Sequence, residues 1–592
     1  MKSLFPVVAS VALLLQSASF AEEVFRTVDL SGAFNVSRAD SEPADGLGGW
    51  IDAGADNCAV LPEGRILLSG VPFEVASGEK DAKGCIVLGC PTFRETAERV
   101  SAPAASSGDA FVYLLHASAG VTADNTLVGS LVATYADGSE QVFHVRYARD
   151  VFDWHAPFSR DNVARVWSEY NGMSQISLFA SRFRLDGGKT LASIGFERGE
   201  GGTWMVLAAT VGPSSRLAPI TENLSISREF ETVDCEGCDI RDDFPAGAAP
   251  KNVILVIGDG MGRGAHDFAS SWTKGRQGAL FMQQLPHGGL CTTFSRNSAV
   301  TDSAAAGTAL ATGWKVDNSR VGALLENGGH LRSIAEAAHA AGKSVCVMTS
   351  DALPSATPAA FYAHRGSRAM IDGIFEDLSA CGFEVLIGNG SYSDWFDQAQ
   401  HKQFADAISA GGYGVLRSAE ESREAIAAGR KTIAFIGGGY FDGERALSDI
   451  AEVVFRKFAS NDNGFFVMIE SDHCDHGGHE HNPTKNVLGA VQSDWAVKAA
   501  VDFASGRDDT LVIVTADHET GGVIVNQPRG IQRGAHDPRV VFLESNHTGA
   551  PVPLFAFGAG AEAFDGVLDN TDIPKKIAAF FGVALTEKPT EE

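Results

Sequence analysis

Residues 252–257, Asn-Val-Ile-Leu-Val-Ile, are apolar on both alternating faces after the first position. A strand of this texture needs cover on both sides, which points to the interior of a parallel sheet flanked by helices. The same texture returns at residues 344–348, 432–436, 465–469, 510–514 and 553–557. Helical spacing fills the gaps, as at Leu331, Ile334, Ala335 and Ala338 before Gly342 closes the segment. Strands alternating with helices in this way predict a doubly wound α/β sheet over residues 251–585.

The rest of the chain reads differently. At 592 residues it is too long for one ordinary core, so two domains are expected. From residue 24 to 228 the texture is all-β. Short runs at 66–68, 110–115, 126–135, 141–146 and 204–211 are separated by Asp-Gly, Gly-Gly and Ser-Gly turns. Residues 131–135, Asp137-Gly138 and 141–147 spell a hairpin. A β-sandwich of jelly-roll type is the economical architecture. Residues 229–250, acidic and then small around Pro245, read as a linker.

The first 21 residues have the form of an export signal. Lys2 precedes an apolar stretch at 4–15, and Ser19 and Ala21 place cleavage after Ala21. The stretch is too short to span a bilayer and nothing comparable follows, so a secreted or periplasmic protein without a membrane span is expected. Nine cysteines, an odd number, leave at least one thiol unpaired or joined between molecules. Cys235 and Cys238 form either a local disulfide or two free thiols. The net charge of −27 argues against nucleic acid as a partner and requires local positive charge, such as metal ions, for any anionic substrate.

Ligands of a doubly wound sheet gather at the carboxyl ends of its strands. There this sequence places Asp259, Ser355 with Thr357, Glu470 with Asp475 and His479, and Asp517 with His518. Each has an ordinary reading when taken singly. Asp259 between glycines suits a turn, the His473–His481 region suits a solvated loop, and Asp517-His518-Glu519 suits an acidic helix start. Together, carboxylates and imidazoles suit zinc, and an oxygen-only subset suits magnesium. Ser303 opens a run of small residues that forms a tight helix. It is either an N-cap or a nucleophile placed where helix amides hold a phosphate.

The segments 252–262, 301–313, 356–360, 515–518 and 547–549 resemble, in order, motifs of the alkaline phosphatases. The resemblance spans residues 252–583 and implies a phosphate monoesterase with two zinc ions and one magnesium. Asp475, His479 and His547 match ligands of the first zinc. Asp517 and His518 match ligands of the second, with Ser303 as nucleophile and Asp259 bridging onward to magnesium. Glu470 and Thr357 match magnesium ligands. Arg368 stands at the family's distance past Thr357 and His364 for the arginine that grips phosphate oxygens, and Asp302 precedes the nucleophile. The sandwich region loosely resembles β-sandwich modules of bacterial carbohydrate-active enzymes, which makes Trp50 and Trp154 candidates for stacking on sugar, with core packing as the competing reading.

Two positions depart from the pattern. Ser355 stands where relatives usually carry aspartate or histidine near magnesium, which predicts a loosely held magnesium. His476 stands where some carry lysine, and suits a water-mediated phosphate contact. Three rivals are weighed, of which two stay open. A sulfatase is disfavoured because Cys291-Thr-Thr-Phe-Ser-Arg296 lacks the required proline and spacing. A phosphodiesterase of the same superfamily and a non-catalytic glycan-binding surface protein are separated by assay. The physiological ester is not legible, and neither is the oligomeric state, for which a homodimer is one option.

Overall fold

The computed structural model describes residues 25–586 apart from 41–48, 53, 55–56, 79–81, 91–98, 107–109, 122, 157–158, 161, 172–174, 218–225, 227, 236–239, 241–243, 246, 326–327 and 527–538. The export segment and Cys238 therefore lie outside the described residues. The chain divides into two compact units, 1–223 and 224–592.

Among its described residues the N-terminal unit has two large antiparallel sheets and the two-stranded hairpin Gly64–Leu68/Val71–Val75. One has Val163–Tyr170, Gln175–Arg184, Phe111–Ala119, Thr203–Gly212, Lys83–Leu88 and Val36–Ser37 in that order, with Arg26–Val28 added on Thr203–Gly212. The other runs Arg99–Ser106, Leu191–Arg198, Leu127–Tyr135, Glu140–Arg146. The expected hairpin is present, with Leu131 opposite Phe143 and Gly138 at φ +83° in the turn. Leu131, Ile194 and Phe196 of the smaller sheet share a core with Leu114, Trp204 and Val206 of the larger. The larger sheet is covered on its other face too, where Met205 and Leu207 pack with Phe73, Trp50 and Trp154. Burial on both faces explains why every residue of Thr203–Gly212 is buried. Trp50 and Trp154 stack edge-to-face at 5.1 Å and are wholly inside, so core packing is their role and sugar stacking is not.

The C-terminal unit carries a ten-stranded sheet. Its order is Gly414–Leu416, Thr432–Ile436, Val385–Asn389, Ser344–Thr349, Phe465–Ser471, Asn252–Gly258, Thr510–Ala516, Val552–Gly558, His287–Thr292, Gly566–Asp569. Asn252–Gly258 lies at its heart, parallel to both neighbours and buried throughout. All six apolar runs are strands. Val552–Gly558 nevertheless runs antiparallel to Thr510–Ala516, because two-sided burial looks the same in either direction. The described residues of the 229–250 segment pack on this unit: Val233 is buried in its core, Phe244 packs on Phe557 at 5.2 Å, and Trp495 Nε1 donates to the Glu231 carbonyl. Among the described residues Cys85, Cys291, Cys346 and Cys474 are free thiols buried as small apolar groups. No helix among those residues is long and apolar enough to cross a membrane.

Candidate active site

Four adjacent strands end side by side. Asp259 follows Asn252–Gly258, Glu470 lies near the end of Phe465–Ser471, and Asp517 and His518 follow Thr510–Ala516. Ser344–Thr349 leads to the turn Ala356–Ala359, which carries Thr357. Asp475, His476 and His479 come from the helix His473–His479, which begins just beyond Glu470. His547 arrives on the two-residue strand His547–Thr548, opposite Thr520. Gly260 turns the chain at φ +68°, where a Cβ would stand 2.6 Å from the Asp475 Cα, so the two loops close only around glycine.

Ser303 is the first residue of the helix Ser303–Thr312, and the cap is Asp302, whose carboxylate accepts from Ala305 N at 3.0 Å. The expected alternative of Ser303 as the N-cap is therefore corrected. The Ser303 side chain is free of capping and instead lies 3.1 Å from His518 Nε2. Asp302 also accepts from Ser319 N and stands 3.8 Å from the half-exposed Arg368 guanidinium.

The imidazoles share one arrangement. His479 Nδ1–H donates to the Ser545 carbonyl at 2.6 Å, and His547 Nδ1–H to the Thr301 carbonyl at 2.9 Å. Thr520 donates its hydroxyl to Asp475, so the same oxygen accepts from His518 Nδ1–H. Each ring therefore turns its Nε2 lone pair inward. His479 Nε2 and His547 Nε2 are 3.2 Å apart, both 3.4 Å from Asp475. His518 Nε2 lies 3.1 Å from Asp517 and 3.6 Å from Asp259. Two lone pairs facing each other at 3.2 Å repel unless a proton or a cation lies between them. Orienting the ring through its other nitrogen is how proteins prepare metal-binding histidines.

The carboxyl groups tell the same story. Asp259 Oδ1, Glu470 Oε2, Asp517 Oδ2 and Thr357 Oγ1 are buried without a hydrogen-bond partner among the described residues. Burial, then Asp517 and Asp475, push the Asp259 carboxyl well above its ordinary value, and burial raises Glu470 likewise. Burial and then Asp475 lift Asp517 to about 7. For His479 burial works downward, but the Asp475 carboxylate prevails and holds the ring at about 9. Buried acids this poorly compensated fit cations, whose arrival displaces the protons. The ligand atoms of Asp475, His518 and His547 lie within 4.8 Å of one another, as do those of Asp259, Asp517 and His518. The first set, with His479, is nitrogen-rich and fits zinc, and the orphaned oxygens of Glu470, Thr357 and Asp259 fit magnesium.

Residues 250–432 and 441–540 match the sequence model of the alkaline phosphatases. The C-terminal part of the chain belongs to the alkaline phosphatase family. Alkaline phosphatase 4 of Bacillus subtilis is 28% identical over 418 residues, covering 54% of this chain and 87% of that protein. Streptomycin-6-phosphate phosphatase of Streptomyces griseus is 27% identical over 416 residues, covering 57% and 92%. The solved alkaline phosphatase of the Antarctic bacterium TAB5 is 28% identical, with a TM-score of 0.52 over 57% of this chain and 99% of that one. Membership in this family makes the protein a phosphoric ester hydrolase, and the family usually binds metal ions.

Sequence reasoning missed Thr520, which links His518 to Asp475, and the carbonyls of Thr301 and Ser545. Thr520 was findable, since it stands two residues past His518 and a metal-binding imidazole needs an acceptor for its second nitrogen. The carbonyls carry no sequence signal.

Proposed function

We propose that this protein hydrolyses phosphate monoesters through a phosphoserine on Ser303, outside the cytoplasm, with two zinc ions and one magnesium. Asp475, His479 and His547 would hold one zinc. Asp517, His518 and the bridging Asp259 would hold the other, and Asp259, Glu470 and Thr357 the magnesium. The convergence of the three imidazole Nε2 atoms, each ring anchored through Nδ1, carries the reading. When bound, the zinc pair supplies Lewis acidity at the two ends of an in-line displacement.

The chain's own residues do the rest. Ser303 Oγ attacks phosphorus as the bond to the ester oxygen breaks, and water then attacks the phosphoserine and frees Ser303. The Arg368 fork accommodates two non-bridging phosphate oxygens, and Asp302 beside it limits the ways the guanidinium can swing. Thr520, Ser545 and Thr301 keep the rings from turning. Export through residues 1–21, with cleavage after Ala21, belongs to the same reading, and the N-terminal sequence of the mature protein checks it.

Ser303→Ala is expected to abolish labelling by phosphate and to reduce p-nitrophenyl phosphate turnover by at least about a thousandfold. Stability should hardly change, since Asp302 keeps the cap. Undiminished phosphoserine labelling of the variant would refute the assignment. Faster turnover of a diester than of a monoester would favour the phosphodiesterase instead.

A further inference from the structure

The strands Ser344–Thr349 and Phe465–Ser471 are paired with Thr349 beside Glu470, so the residues just past them meet at the sheet's edge. Asp351 follows one strand, Asp472 the other, and His476 stands one helical turn beyond Asp472. Ligand-type atoms of the three lie within 4.8 Å of one another. None of the motifs singled out in the sequence includes Asp351 or Asp472.

The two carboxylates differ in what they hold. Asp472 is engaged by the Ser350 hydroxyl and by His473 Nδ1 at 2.6 Å. Asp351 receives neutral donors, the Ala352 amide at 2.7 Å and the Ser355 hydroxyl. Its charge is therefore the less compensated of the two. Asp351 is also tied to the magnesium set from both sides. Its amide donates to Thr349 Oγ1 at 2.8 Å, and that hydroxyl bonds the Glu470 carboxyl. Its carboxylate bonds Ser355, the residue before the Ala356–Ala359 turn that carries Thr357. The Asn389 amide pins the Asp351 carbonyl at 2.7 Å.

We propose that Asp351 supplies the carboxylate that position 355 lacks, acting with His476 as a positioning group for the water shell of magnesium at Glu470, Thr357 and Asp259. The inference rests on reading those three residues as magnesium ligands. Magnesium keeps several waters and dehydrates reluctantly, so acceptors one water away fix its site almost as firmly as its ligands do. A serine hydroxyl is neutral and short, whereas a carboxylate four residues upstream, held by that serine, offers the charge at nearly the same place. Ser355 is then the holder of the acid, and the loosely held magnesium expected from the sequence does not follow.

The test uses the full-length, zinc-loaded protein. Magnesium is titrated by calorimetry, and bound magnesium and zinc are counted by mass spectrometry after gel filtration. Asp351→Asn is expected to weaken magnesium at least about tenfold with the zinc count unchanged. Ser355→Ala should weaken it less. Adding Ser355→Asp to Asp351→Asn should restore binding, and this double variant decides the matter if Asp351→Asn alone does not accumulate folded. Wild-type magnesium affinity in Asp351→Asn, or failure of the double variant to exceed the single one, overturns the proposal. Glu470→Gln separates the two levels, because unchanged magnesium affinity in that variant would sink the magnesium assignment itself and not merely the part played by Asp351.

Discussion

Both units bury histidine, and they use it in opposite ways. In the N-terminal sandwich, Trp204 Nε1 donates to His116 Nδ1 at 3.0 Å, His116 Nε2–H donates to Ser181 Oγ at 3.0 Å, and that hydroxyl donates to the Asp150 carbonyl. The relay ends on backbone with both ring nitrogens used. In the C-terminal sheet, His479, His518 and His547 donate through Nδ1 and turn Nε2 toward carboxylates, toward one another and, for His518, toward the Ser303 hydroxyl. Burial alone therefore does not mark a functional histidine. The destination of its second nitrogen does, since a ring whose nitrogens both end on neutral partners is a structural post, and one whose second nitrogen faces carboxylates and other imidazoles has kept a ligand atom.

Exchanging the two kinds of residue gives the largest expected effect. His547→Ala should cost at least one zinc and about a thousandfold or more in turnover, with the unfolding transition of the zinc-free protein little changed. His116→Ala should leave zinc content and turnover intact while destabilising the sandwich by about 3 kcal/mol, from a buried cavity and two stranded partners, Trp204 and Ser181. Metal analysis, phosphate-ester assay and denaturant unfolding of both variants check this. Loss of zinc in His116→Ala would erase the distinction between posts and ligands.

Acid sharpens it further. Burial lowers the His116 pKa to about 3, with the Asp150 backbone opposing only in part. The unfolded chain, near 6.5, binds more protons than the folded one between those values, so stability rises with pH there. The contribution is fully present above pH 6.5 and is lost progressively as pH falls toward 3, up to about 4 kcal/mol. Denaturant midpoints at pH 8, 6 and 4.5 should therefore fall more steeply for the wild type than for His116→Gln. Parallel slopes would mean that the relay does not exclude the proton.

Much of this organisation was open to reading. Residues 252–257 and their five counterparts are strands because two-sided burial demands apolar side chains at every position. Motif order brought Asp259, Ser303, Asp475, Asp517, His518 and His547 to one edge. The strand His287–Thr292 escaped because Gly288 and Gly289 interrupt its texture, and the structure shows why they must. A Cβ on Gly289 would stand 1.6 Å from the Gly566 carbonyl oxygen of the neighbouring strand. Val385–Asn389 ends in Gly388 and Asn389, which cut its apolar run to three residues, and Gly414–Leu416 is itself only three residues long. Asp351 escaped for a different reason: nothing near it in sequence marks it, and only the pairing of two strands 120 residues apart brings it to Asp472. Trp50 and Trp154 were ambiguous because aromatic rings suit a core and a sugar equally well until burial is known.

The smallest expected effect concerns a third kind of buried histidine. His266, on the helix Arg263–Lys274, is buried and stacks on Phe555 at 5.7 Å, and neither ring nitrogen has a hydrogen-bond partner among the described residues. Burial, helped by Arg263, lowers its pKa to about 3, so the ring is neutral at pH 7. It is neither post nor ligand by the rule above, and an unpaired buried polar group costs roughly 1–3 kcal/mol. Replacing it with an apolar residue that fills most of its volume removes that cost and gives up part of the stacking. His266→Leu is therefore expected to stabilise the C-terminal unit by about 1 kcal/mol, with zinc content and turnover unchanged, where His116→Leu destabilises the sandwich. Denaturant unfolding at pH 7 reads both. A destabilised His266→Leu would show that the ring nitrogens are satisfied in solution, by water or by a residue outside those described. His266 would then join His116 among the posts.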